Sequence, residues 1–101
     1  MPEPLVERLK ILGHQVDSVN SLRLKGLDNG RLFREIVRGY DVCFTRDREF
    51  VRTYAEPTDG SVKLLRVTLS QTRAPEFIAT FVAAFEGTRW SDYPNGADWP
   101  R

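Results

Sequence analysis

The chain has 101 residues, of which 41% are hydrophobic and 29% charged, a composition typical of one globular domain. Its 15 basic and 14 acidic residues leave a formal net charge of +1, which excludes a polybasic nucleic-acid binder of the histone kind. A single cysteine, Cys43, excludes an intrachain disulfide, and no apolar run reaches the roughly 20 residues that cross a bilayer. Because the N-terminus also lacks a signal-peptide pattern, we expect a cytoplasmic protein that does not enter a membrane.

The spacing of apolar residues predicts an alternation of helices and strands. Helical segments have apolar residues three and four positions apart, whereas strand segments are short runs of β-branched and aromatic residues. In chain order, the sequence predicts a helix over 3–12, a strand over 15–19, a helix over 30–38, a strand over 41–45, a short helix or turn over 46–54, a turn over 57–60, a strand over 62–67 and a helix over 74–86. This order implies parallel crossovers, and hence an α/β fold in which helices cover both faces of a mostly parallel sheet.

The sequence also predicts where two of the helices begin or end and whether the C-terminal tail is ordered. Gly13 ends the first helix, and Asp28 or Asn29 is expected to cap the second. Residues 1–87 are interpreted as one α/β domain, followed by an aperiodic tail over 88–101 that holds both tryptophans. Since disordered tails are poor in aromatic residues, we expect this tail to dock, either on its own domain or on a partner.

The loop that follows the strand over 41–45 is the first candidate site. Ligands of open α/β sheets bind beyond the carboxyl ends of the strands, and Asp47 and Glu49 lie there. Paired carboxylates hold hard divalent cations, which can activate water against a phosphodiester. A simpler interpretation stays open, because an aspartate flanked by Arg46 and Arg48 is also a common solvated charge or salt-bridge partner.

A second candidate loop contains Asp28 and Asn29, with Glu35 further along the predicted helix. Asp28 is more simply a helix cap, and Glu35 a partner in a surface ion pair. Residues 23–52 contain eight basic and five acidic residues, so positive charge surrounds both loops. That surplus fits a substrate with a phosphate backbone, and it equally fits an ordinary charged surface.

Three segments resemble the small PIN-like proteins, bacterial and archaeal domains related to VapC toxins. They are Leu12-Gly13-His14-Gln15-Val16, Leu24-Lys25-Gly26-Leu27-Asp28-Asn29-Gly30-Arg31-Leu32 and Asp41-Val42-Cys43-Phe44-Thr45-Arg46-Asp47-Arg48-Glu49-Phe50. The resemblance covers roughly residues 2–86 and implies a three-layer α/β sandwich. It also implies a Mg²⁺- or Mn²⁺-dependent endoribonuclease of the toxin–antitoxin type.

The resemblance assigns roles to residues of both loops. Asp47 matches a family metal ligand, Glu49 stands where an aspartate is common, and Asp28 or Glu35 is the supporting acid. The remaining residues of the implied site, which would contact RNA, are Arg46, Arg48, Asn29 and Arg31.

The chain departs from the family in two places. Asn29 aligns with a usual acid, and the opening strand with its leading aspartate has no counterpart before Pro4. Two explanations stay open: the true start lies upstream of Met1, or the chain is a shortened member of the family. A sheet that lacks a strand has an open edge, which a partner chain could fill. The sequence therefore supports two main hypotheses: a metal-dependent endoribonuclease, or a non-catalytic PIN-like module that binds a cognate antitoxin or a second copy through its sheet edge. A third hypothesis is a nucleic-acid-binding regulator that uses the basic stretch over 23–52.

Overall fold

The computed structural model describes residues 2–19, 26, 28–55 and 62–100. The protein has an α/β fold, as the order of predicted elements implies. Its elements are α1 (Glu3–Ile11), α2 (Asn29–Glu35), β1 (Val42–Thr45), α3 (Arg48–Tyr54), β2 (Lys63–Val67), α4 (Ala74–Glu86) and β3 (Asp98–Trp99), with 3-10 turns at Val37–Gly39 and Trp90–Asp92. No helix in this described part of the chain is long and apolar enough to cross a membrane.

The chain forms two compact units, each made of two separate stretches. Unit 1 comprises the described residues of Met1–Gly26 and Leu69–Thr88, and unit 2 those of Leu27–Thr68 and Arg89–Arg101. Unit 1 contains α1 and α4, and unit 2 contains the sheet with α2 and α3.

In unit 1, α1 and α4 pack through their apolar faces. The buried side chains are Leu5, Val6 and Leu9 of α1 and Phe77, Ile78, Phe81 and Val82 of α4. Gly13, whose φ is 97°, ends α1: its N–H donates to the carbonyl of Lys10 at 2.9 Å, and the N–H of His14 donates to that of Leu9 at 3.3 Å. These two hydrogen bonds form a Schellman motif, so the predicted helix stop is confirmed.

The strand predicted over 15–19 is wrong, because residues 14–18 have no regular secondary structure. A strand needs a neighbour to complete its hydrogen bonds, and the β propensity of two valines does not replace that neighbour. Val19 is 44% exposed, and the hydroxyl of Ser18 donates instead to Glu3 Oε1 at 2.8 Å.

Unit 2 is built on a three-stranded sheet in the order β1-β2-β3, and both strand pairs are parallel. The register places Thr45, Arg66 and Asp98 in one row across the three strands. Leu64 and Leu65 of the central strand are fully buried. Because parallel strands end at the same edge, this row lies close to the edge where α/β proteins bind ligands.

The helices of unit 2 differ in detail from the prediction. The helix predicted over 30–38 is shorter, since α2 ends at Glu35 and the chain continues as a 3-10 turn. The segment 46–54 is a helix from Arg48 onward, and its Phe50 and Val51 are buried in the apolar cluster of the unit. The turn predicted over 57–60 lies outside the described residues.

The aromatic tail docks on the protein itself, one of the two expected alternatives. Residues 98–99 form β3, and Trp99 is fully buried. The ring of Trp99 lies 4.7 Å from that of Phe44 on β1 and 6.2 Å from that of Trp90. The tail therefore completes the sheet of unit 2.

Candidate functional site

Asp47 follows β1 directly and caps α3. Its Oδ1 accepts hydrogen bonds from the backbone N–H groups of Glu49 at 2.9 Å and Phe50 at 3.2 Å. The N–H of Asp47 donates to Thr45 Oγ1 at 3.1 Å, which fixes the turn between strand and helix. Asp47 thus satisfies two of the unpaired donors of the first helical turn, and Oδ2 stays outside both hydrogen bonds.

Glu49 lies one turn before Arg52 on the outer face of α3. Its Oε1 is 3.3 Å from Arg52 Nη1, and both side chains are 69% exposed. An exposed pair at this spacing contributes a few tenths of a kcal/mol. The ion pair leaves Glu49 well solvated, so its carboxylate has the surroundings of an ordinary surface group.

The second loop also has a structural role. Asp28 caps α2, because its Oδ1 accepts from the N–H of Arg31 at 3.0 Å. Asn29 is the first residue of the helix, and Arg31 Nη2 lies 3.5 Å from Glu35 Oε2 one turn later. The interpretation of Asp28 as a cap and of Glu35 as an ion-pair partner is confirmed.

The residues present fit a divalent cation poorly. Among the described residues, no three His, Cys, Asp or Glu side chains are grouped so that they could hold a metal ion. Asp47 and Glu49 are neighbours in sequence, yet one caps the helix and the other pairs along its surface. Of the proposed ligands, Asp47 alone lies at the carboxyl end of a strand and keeps an oxygen outside the cap.

An ion pair that the sequence does not predict joins the neighbouring strands β2 and β3. Arg66 Nε donates to Asp98 Oδ1 at 2.8 Å, and Nη2 donates to Oδ2 at 3.1 Å. The hydrogen bond from Arg66 lowers the pKa of Asp98, and the charge of Arg48 lowers it further. Of the arginines predicted to contact RNA, Arg48 thus acts electrostatically on a carboxylate at this edge of the sheet. No sequence signal links these residues, since Arg66 and Asp98 are 32 positions apart.

Cys43 lies on β1 and is partly buried against the apolar cluster of the same unit. Burial raises the pKa of its thiol from 9.0 to about 11. The thiol is therefore neutral at physiological pH, so Cys43 acts as a small apolar side chain and not as a nucleophile.

Comparisons of the chain with protein-family models, with curated proteins and with solved structures found no match. The resemblance to the PIN-like family thus stays a prediction from the three sequence segments.

Proposed function

We propose that this chain is a non-catalytic interaction module of the PIN-like, three-layer α/β type. The proposal rests on one observation: the side chains predicted to bind a metal ion form hydrogen bonds or an ion pair within their own helices. Asp47 and Asp28 are helix caps, and Glu49 is an exposed ion-pair partner. These side chains stabilise the helices and the surface of the fold, a role that does not require the protein to catalyse a reaction.

The edge of the sheet at β1 is the proposed binding surface. Among the described strands, β1 pairs with β2 alone, and its four residues carry no charge. The opposite edge is blunted, because β3 has two residues and is followed by Pro100, which has no N–H to donate. A strand supplied by a second copy or by a cognate antitoxin would extend the sheet at β1.

The backbone of β1 indicates how to test this surface. The N–H of Lys63 donates to the carbonyl of Asp41, so the polar groups of Asp41 point toward β2. Polar groups alternate along a strand, and those of Val42 therefore point to the outer edge. Val42 is also the first residue of β1, a position where proline is tolerated.

Analytical ultracentrifugation of the wild type and of Val42→Pro tests the module. We expect the wild type, alone or mixed with its protein partner, to form a complex that Val42→Pro weakens while its circular dichroism is unchanged. Val67→Ala, in the buried central strand, is the matched control, because it alters packing without changing the outer edge. A wild type that stays monomeric and binds no partner strand contradicts the proposal.

A metal-dependent endoribonuclease is the second candidate. It is supported by the position of Asp47 at the carboxyl end of β1, between Arg46 and Arg48. In this second hypothesis Asp47 and Glu49 would hold Mg²⁺ or Mn²⁺, with Asp28 or Glu35 in support, and the ion would supply the charge that activates water. The arginines, with Asn29 and Arg31, bind the RNA phosphates.

RNA cleavage with and without Mn²⁺ distinguishes the two candidates. Asp47→Asn removes the charge and keeps a good helix cap, so it separates the reaction from folding. Glu76→Gln, in the exposed first turn of α4, is a control that removes one carboxylate elsewhere. The interaction module predicts no metal-dependent cleavage by any of the three proteins. Cleavage that requires Mn²⁺, survives in Glu76→Gln and is lost in Asp47→Asn would establish the nuclease.

A further inference from the structure

We draw no further inference here: the strongest candidate, the exposed apolar surface that Ile11 and Leu12 form at the carboxyl end of α1, carries none, because nothing in the described part of the chain shows what covers it.

Discussion

The side chain of Asn95 takes the place of a strand residue beside Leu64. Its Oδ1 accepts from the N–H of Leu64 at 2.8 Å, and the carbonyls of Ala97 and Trp99 accept from the next two donors on that side of β2. The N–H of Gly96 donates back to the carbonyl of Leu64 at 2.8 Å. The hydrogen-bond ladder between β2 and the C-terminal tail is therefore longer than the two residues of β3 indicate.

Replacing Asn95 with alanine should destabilise the protein by about 1–3 kcal/mol, the range for a buried polar group left without its partner. The change removes the acceptor for the N–H of fully buried Leu64 and the donor for the carbonyl of Ala55. Urea denaturation measures the loss, and Asn29→Ala, at the exposed start of α2, is the control. Equal stability of the two variants would show that Asn95 adds nothing to the ladder.

Gly96→Ala should cost more stability than Gly13→Ala. Both glycines have φ near 90°, which costs an alanine about 1–2 kcal/mol. The added Cβ at position 96 would lie 3.2 Å from the Cβ of Ala55, whereas at position 13 it would meet nothing within 4 Å. The difference between the free energies of unfolding of the two variants measures the cost of the contact between the new Cβ and Ala55. If the two losses are equal, Ala55 moves aside without cost.

Asp47→Ala should lower the free energy of unfolding by about 1 kcal/mol, and Asp47→Asn by much less. Alanine leaves the N–H groups of Glu49 and Phe50 without the carboxylate that caps them, and asparagine offers them an oxygen in the same position. Chemical denaturation of the two variants beside Glu49→Ala, which removes only an exposed ion pair, provides the test. A comparable loss for alanine and asparagine would mean that the negative charge matters more than the cap.

The thiol of Cys43 should make stability fall at alkaline pH. Burial raises its pKa from 9.0 to about 11 in the folded protein, so the unfolded chain loses this proton first. The stabilisation is complete below about pH 9 and is lost as the pH rises to about 11, in total about 2–3 kcal/mol. The measurement is the free energy of unfolding of the wild type minus that of Cys43→Ala across this range. A difference that stays constant with pH would contradict a buried thiol.

The elements that the sequence predicts correctly are those whose side chains alone define a period. The helix predicted over 74–86 matches α4 at both ends, because its wide apolar stripe recurs at helical spacing. The strands over 41–45 and 62–67 match β1 and β2 to within one residue. The sequence does not predict β3, since two residues have no period and form a strand only through pairing with residues 32 positions away.

The residues of the candidate site are likewise predictable only where the signal is local in the sequence. Asp28 and Asp47 are the N-caps of α2 and α3, and the sequence predicts the cap at Asp28 only. The signal is weaker at Asp47, because the helix or turn predicted over 46–54 includes Asp47, whereas Asp28 precedes the helix predicted over 30–38. The pairing of Arg66 with Asp98 had no such signal, as it depends on strand register between distant segments.

The interleaving of the two units fixes the order in which synthesis can complete them. All residues of unit 1 precede Arg89, and the third strand of unit 2 follows it. During translation the helical unit therefore has its whole sequence while β2 still presents an unpaired side to the surrounding solution. Until residues 95–99 leave the ribosome, the donors of Leu64, Arg66 and Thr68 are available to any extended chain nearby.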